Sequence, residues 1–326
     1  MTAPGTTTPV VSVVLPTFDR LEFLPPAIES VFAQTFTHWE LIIADDGSSA
    51  DTRTYLQALD DPPRVKLISL SHSGKPGVVR NAALREAQGE YVAFLDSDDL
   101  WLSNKLETQI ASLRRHAARK WSYTRFALVD GAGNPSASGR SRDWPAPSGW
   151  ILEKLLKEET VIALPSVVVL RQLLEQLGAF DEELVMCEDD ELWFRLAAHS
   201  EIDGVDAPLT LVRRHGQHCG DDIIAWQDRG HVFEKMLRTS GGGHLEPVLR
   251  RLRAEMSTGL AKSQAVAGRR ISALNTLFSS AHYSWRYPQW WLGALQTTAR
   301  AFAPAAARRV VRRYRRGRDV QSQPHA

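Results

Sequence analysis

Three acidic clusters carry the residue types that could do chemistry on a phosphorylated or hydroxyl-bearing substrate. Asp96-Ser97-Asp98-Asp99 follows the apolar run YVAFL, and in extended backbone Asp96 and Asp98, one residue apart, send their carboxylates to the same side. Two such carboxylates suit a hard divalent cation, Mn2+ or Mg2+, whose remaining positions water and a diphosphate can fill. The competing reading is a helix cap, since Ser and Asp are favoured before a helix that would open near Leu100. Glu188-Asp189-Asp190-Glu191 opens a second candidate helix, where four consecutive acids repel one another more than the helix dipole offsets. A carboxylate there can serve as general base toward a hydroxyl; the plainer reading is an exposed N-terminal turn. The third cluster is Asp45-Asp46, at the end of the run ELIIA.

The elements that must position these groups are legible as a rhythm. Residues 10–15 (VVSVVL) read as a strand covered on both faces, stopped by Pro16. A helix with prolines in its first turn follows, then a strand over 40–44, a helix over 51–59, a strand over 65–70, a helix over 77–87 ended by Gly89, and a strand over 91–95. Strand, helix, strand, helix implies a parallel sheet with helices on both faces. On such sheets ligands gather outside the carboxyl ends of the strands. The loops there hold Pro16, Thr17, Phe18 and Asp19, then Asp45 and Asp46, then Asp96 to Asp99. That rim is negative, and a phosphate would be repelled from it without an intervening cation.

Beyond Tyr123 the regularity weakens, and residues 130–149 form a Gly-, Ser- and Pro-rich loop or irregular hairpin. Helices are predicted over 150–157, 171–177 and 188–199, a strand over 167–170 and another over 208–212, and a mostly helical region from His231 to about Arg315. The segment HSGKPG (72–77) lacks the spacing of a phosphate loop and the hydroxyl residue after its lysine, so that reading is rejected.

The ordered motifs VSVVLPTFDR, ELIIADDGS, GVVRNAAL, GEYVAFLDSDDLW and CEDDELWFRLA resemble the family 2 glycosyltransferases over roughly residues 8–215. The resemblance implies a nucleotide-diphospho-sugar transferase (GT-A) fold: a mixed, mainly parallel α/β sheet with flanking helices and a Rossmann-like nucleotide-binding half, followed by a helical C-terminal extension. It implies a glycosyltransferase domain over 1–220, with a nucleotide-sugar half (8–125) and an acceptor half (126–220), and an extension over 221–326. Pro16, Thr17 and Phe18 then match the loop against the base and ribose, and Asp46 the aspartate bonded to the base. Arg80 matches a position near the nucleotide or diphosphate. Asp96, Ser97 and Asp98 match the DxD motif that holds the diphosphate through Mn2+ or Mg2+, and Asp189 matches the catalytic base. The implied reaction is a single displacement with inversion, from a UDP-sugar above GDP- or dTDP-sugars, to a hydroxyl acceptor such as a lipid-linked glycan in cell-surface polysaccharide, glycolipid or glycoprotein synthesis.

Several positions stay open. Related enzymes often place a His near the metal after the last strand, and His215 and His218 both stand there; His218 is carried as a third ligand, with a surface histidine as the alternative. Glu188 and Trp101 are carried as acceptor-side residues; Trp101 and Trp193 could stack on a sugar face, but as residues on amphipathic helices they read as core ahead of that. Cys187 reads as a small filler. A nucleotidyltransferase of similar fold would favour a Gly-rich, basic first loop over PTFDR, and a sugar-nucleotide-binding protein without catalysis is the other alternative.

Composition bounds the rest. Of 326 residues, 39 are Lys or Arg and 38 Asp or Glu, so net charge gives no pull toward nucleic acid, and none is expected as a partner. Two cysteines allow neither a disulfide framework nor a Cys-built zinc site, which favours a reducing, cytoplasmic setting. No stretch is apolar for the ~20 residues of a spanning helix, and the N-terminus lacks the layout of a secretory signal. Charge is nonetheless uneven: residues 1–99 hold fourteen acids and seven bases, whereas the eleven residues from Arg308 to Arg318 (RRVVRRYRRGR) hold seven arginines. With Trp285, Tyr287, Trp290 and Trp291 upstream, this tail reads either as peripheral contact with an anionic inner membrane face or as a solvated, frayed helix.

Overall fold

The computed structural model describes residues 8–59, 64–135, 144–214, 222–239 and 243–302. The chain divides into two compact units, residues 1–219 and 220–326. In the first, strands β1 (Val11–Thr17), β2 (Trp39–Asp45), β3 (Val65–Ser69) and β4 (Tyr91–Phe94) run parallel in the order β3-β2-β1-β4. Helices α1 (Leu24–Phe32), α2 (Ala50–Gln57) and α3 (Pro76–Arg85) connect them. The sheet then turns mixed through β5 (Leu100–Trp101), β6 (Trp121–Val129), β7 (Val167–Leu170) and β8 (Ile202–Arg213), giving the full order β3-β2-β1-β4-β7-β6-β8-β5. Strands β4 and β6 pair antiparallel with β7, β6 pairs parallel with β8, and β5 antiparallel with β8. Helices α4 (Lys105–Arg115), α5 (Leu152–Leu156), α6 (Arg171–Leu177) and α7 (Glu188–His199) complete this unit, with one 3-10 turn at Leu164–Ser166.

The apolar runs form strands because both sheet faces are covered. Val11, Val13, Val14 and Leu15 are fully buried, as are Leu41, Ile42 and Ile43, and Leu24, Ala27, Ile28 and Val31 of α1 pack into the same core. Pro16 does not stop β1, contrary to expectation. The Thr17 carbonyl accepts from Asp46 N on the β2 side and the Val14 carbonyl from Leu95 N on the β4 side. By alternation Pro16 faces β4, whose pairing has already ended at Val14↔Phe94, so its missing N–H removes no ladder bond. No helix opens at Leu100; residues 100–101 form a short strand against β8, and α4 begins five residues later. Strand β6 is the long element that the weak pattern beyond Tyr123 did not announce.

The second unit holds α8 (Asp222–Thr239), α9 (Glu246–Val266), α10 (Arg270–Ser284) and α11 (Pro288–Phe302). Helix α9 packs against the other three around Ala254, Ala261, Ala273, Leu277 and Trp290. Small residues set the close approaches: a Cβ on Gly259 would stand 2.6 Å from the Trp226 ring. Among the described residues no helix is long and apolar enough to cross a membrane.

Candidate active site

The chain makes β1, β2 and β3 on one side and then crosses to β4 on the other side of β1, so the carboxyl ends of β1 and β4 flank the point where strand order reverses. A cleft of about 530 Å³ opens there. Its walls include Pro16, Thr17, Phe18, Asp46, Arg80, Asp96, Ser97, Asp98 and Asp189, so residues far apart in sequence meet in one cavity.

The loops are cross-braced. Ser49 N donates to Asp19 Oδ1 at 2.7 Å and Asp19 N donates to Ser48 Oγ at 2.9 Å, with Asp19 held at φ 47°, a conformation that Asp tolerates. Asp46 accepts from Ser73 N and Oγ (2.8 and 2.9 Å) through Oδ1 and from Gly74 N (3.0 Å) through Oδ2, while His72 Nδ1 lies 3.0 Å from Oδ2. The segment 72–77 is thus no phosphate loop; it holds Asp46. The His72 ring stacks on Phe18 with centroids 4.0 Å apart. Sequence reasoning missed His72, and it also missed Arg20 and Lys75, which line the cleft and make the rim less uniformly acidic than its aspartates suggest. Lys75 Nζ donates to the Glu182 carbonyl at 2.9 Å.

At the floor, Arg80 is buried and bridges two carboxylates, donating from Nη2 to Asp96 Oδ1 at 2.7 Å and from Nη1 to Glu188 Oε1 at 2.5 Å. Glu188 corrects the expectation of an acceptor-side group: its side chain is buried and turned onto Arg80, not toward the cleft. Trp101 is corrected likewise. It is 4% exposed, its indole N–H donates to the Pro165 carbonyl at 2.7 Å, and the Lys105 ammonium lies 4.1 Å from its ring centroid, so it belongs to the core beneath the site. Trp193 is core as well, stacked on Trp121.

The DSDD segment splits by role. Asp99 is buried, accepts from Arg213 N at 2.7 Å, and is pushed well above the usual carboxylate range by burial and by Asp96 and Asp98. Arg213 Nη1 also donates to the Asp98 carbonyl at 2.9 Å, tying β8 to the loop. Asp96 and Asp98 line the cleft alongside Asp99, half-buried where Asp99 is buried. Burial raises the Asp96 carboxyl, Arg80 opposes that, and Asp98 adds to it.

Asp189 sits in the first turn of α7, its Oδ1 accepting from Asp190 N at 2.8 Å. Burial first, then the charges of Asp190 and Glu188, push its carboxyl up to about 8. Cys187, just before the helix, adopts φ 61°, a left-handed conformation uncommon for a side chain with a Cβ, and it turns the chain so that α7 starts against the cleft. A buried polar atom also lacks a partner here: Thr17 Oγ1, at the carboxyl end of β1, makes no hydrogen bond among the described residues. His215, His218 and the arginines from Arg308 to Arg318 lie outside the described residues.

The glycosyl transferase family 2 profile matches residues 12–132. An Escherichia coli protein, UDP-Glc:alpha-D-GlcNAc-diphosphoundecaprenol beta-1,3-glucosyltransferase WfgD, is 32% identical over 60% of this chain and 73% of its own length. Among solved structures, Staphylococcus aureus TarS residues 1–349 in complex with UDP-GlcNAc superposes with a TM-score of 0.62 at 20% identity, covering 82% of this chain and 80% of that one. The mannosyltransferase PcManGT from Pyrobaculum calidifontis, in complex with GDP-Man and Mn2+, gives 0.54 at 17% identity over 90% of this chain and 86% of its own. The cleft at the strand-order reversal, the five ordered motifs and this relationship agree: the chain belongs to the family 2 glycosyltransferases and transfers sugar from a nucleotide sugar.

Proposed function

We propose that the chain is an inverting glycosyltransferase in which Asp189 is the base and Asp96 and Asp98 hold a divalent cation, with a UDP-sugar as donor and a lipid-linked glycan hydroxyl as acceptor. The observation that carries this reading is Asp189 itself, a carboxyl on the cleft wall with its proton affinity raised to about 8, in the same cavity as the DSDD carboxylates. A base so tuned takes a proton from a hydroxyl more readily than an ordinary carboxylate does. As that proton moves to Asp189, the acceptor oxygen bonds to the anomeric carbon from the face opposite the leaving group. The bond from that carbon to the diphosphate oxygen breaks, and the nucleoside diphosphate departs with its electron pair.

The residues present fit Mn2+ or Mg2+. Asp96 and Asp98 are hard oxygen donors on the cleft, and burial first, then the Asp98 charge, raises the Asp96 carboxyl against the pull of Arg80, a cost that a cation would offset. Among the described residues no group of three or more His, Cys, Asp or Glu is placed to hold a metal; His218, outside them, stays the third ligand of this proposal, with the diphosphate and water in the remaining positions. A bound cation would supply charge stabilisation on the departing diphosphate. Arg80 contributes by orienting Asp96, since both of its terminal nitrogens are already engaged. Phe18 and His72 offer an aromatic pair for a base, and the unpartnered Thr17 hydroxyl a polar contact for the ligand.

The donor and acceptor classes are supported by the UDP-Glc and diphosphoundecaprenol in the name of the Escherichia coli relative and by the UDP-GlcNAc held by TarS. A lipid-linked acceptor also agrees with peripheral attachment to an anionic membrane through the basic tail. The test is nucleoside diphosphate release from UDP-, GDP- and dTDP-sugars with Mn2+ or with chelator. Metal-dependent release from UDP-sugars, with inverted anomeric configuration in the product by NMR, is expected. Asp98→Ala should weaken metal-dependent nucleotide binding by about 10- to 100-fold, the scale on which metal sites respond to altered surroundings; unchanged binding with and without chelator would remove the metal assignment.

A further inference from the structure

We propose that the second unit docks on an anionic lipid bilayer through a composite apolar face of α10 and α11, which enters the headgroup region while the flanking cations hold the surface. This rests on the peripheral-membrane reading above and assigns its apolar half. On α10 and the residue that caps its carboxyl end, Ile271, Phe278 and Trp285 recur at intervals of seven and are 77%, 86% and 54% exposed. Positions seven apart differ by only about 20° around a helix, so these three form one stripe. The core side of the same helix is different, with Ala273, Leu277, Ser280 and Ser284 buried. On α11, Trp291, Leu292 and Leu295 are 52%, 59% and 67% exposed at spacings of one, three and four, whereas Trp290 is buried. The two stripes meet: the Trp291 indole N–H donates to the Trp285 carbonyl at 2.8 Å.

A surface helix ordinarily turns polar and charged residues outward. Here the outward residues are large, apolar and aromatic, and the charge that this stretch of sequence carries has a single sign. From Met256 through Arg318 the sequence contains no Asp or Glu and twelve Lys or Arg. Arg269 and Arg270 stand exposed at one end of the α10 stripe, and Arg286 lies 5.1 Å from the Trp285 ring at the other. Seven more arginines follow between Arg308 and Arg318. This charge decides the occupant. A second copy of the same face would bring cation against cation, and a nucleic acid would leave the apolar stripe in water. An anionic bilayer meets both demands, apolar side chains in the interface and arginines among lipid phosphates, with Trp at the depth it favours.

The experiment is sedimentation of the full chain with vesicles of phosphatidylcholine alone or with roughly one-third phosphatidylglycerol, at low and high salt. Tryptophan emission is recorded in parallel. The double variant Phe278→Glu/Leu295→Glu changes two exposed side chains outside the catalytic cleft. A second variant replaces Arg312, Arg313, Arg315 and Arg316 with Gln. We expect wild type to bind anionic vesicles with a blue shift and the Glu variant to bind at least about tenfold more weakly without the shift, while its melting temperature and nucleoside diphosphate release stay at wild-type values. Loss of binding in the Gln variant alone would overturn the apolar face and leave the peripheral reading standing. Absence of wild-type binding to either vesicle would overturn both. A wild-type dimer that the Glu variant converts to monomer, with vesicle binding unchanged, would assign the face to a second copy and overturn the proposal.

Discussion

Asp189 carries two consequences that pull in opposite directions. Its carboxyl moves from 3.8 toward about 8 on folding, so between those values the folded chain holds a proton that the unfolded chain has lost. Stability contributed at this site therefore falls as pH rises through that window. As a base it must be unprotonated, so kcat/KM should rise with pH below about 8 and level above it, which a pH profile of donor turnover on the free enzyme checks. Asp189→Asn should abolish transfer, leave nucleotide binding nearly intact, and raise the melting temperature at pH 8 or above; an unchanged kcat would remove Asp189 as base. Arg80 behaves differently because it serves two carboxylates, half-buried Asp96 and buried Glu188. Arg80→Met leaves Glu188 uncompensated and should cost about 3–5 kcal/mol in urea denaturation, with Arg80→Lys recovering only part because an ammonium lacks the fork that spans both partners. The types and positions of Asp96, Asp98 and Asp189 were legible as acids at element ends. The inward turn of Glu188 was not, since its partner lies 108 residues away in sequence and only the fold brings them together. His72 hid for the same reason: its meaning comes from Phe18 and Asp46, supplied by two other loops.

Elements were most legible where the apolar period was long and the punctuation clear. Helices α6 and α7 occupy the expected residues, and Gly178 ends α6 at φ 85°, a conformation glycine adopts freely. Strand β6 was hidden because it mixes buried residues at one end with half-buried ones at the other, so neither a continuous apolar run nor clean alternation appears. Its pairing with β8 also shifts register around Arg125, which breaks the period further. Gly89 shows how tightly the turn into β4 is set. A Cβ there would lie 2.5 Å from Ser12 N in the middle of the sheet, and Gly89 N donates to Ser12 Oγ, which itself donates to buried Glu40. Gly89→Ala should therefore lose about 1–3 kcal/mol by overpacking against backbone that cannot rotate away. Denaturant unfolding measures this, and a loss below about 0.5 kcal/mol would mean that the turn relaxes without disturbing β1.

At the scale of the whole molecule, the division into residues 1–219 and 220–326 makes a claim about where function resides. Every described residue that lines the cleft, from Pro16 to Val212, belongs to the first unit, and so do the buried pairs that shape it, Arg80 with Glu188 and Arg213 with Asp99. The second unit has its own core, with α9 as the hub and small residues at its crossings, which is the mark of a part that folds on its own contacts. If the sequence division at residue 220 is a true domain boundary, a chain ending there should melt cooperatively and bind nucleoside diphosphate within about threefold of the full protein, a difference below 1 kcal/mol. Calorimetric titration with UDP and Mn2+ gives the comparison. A much weaker site in the shortened chain, with the fold intact by circular dichroism, would mean that the helical unit supplies part of the nucleotide site, and the boundary would then divide the chain without dividing its chemistry.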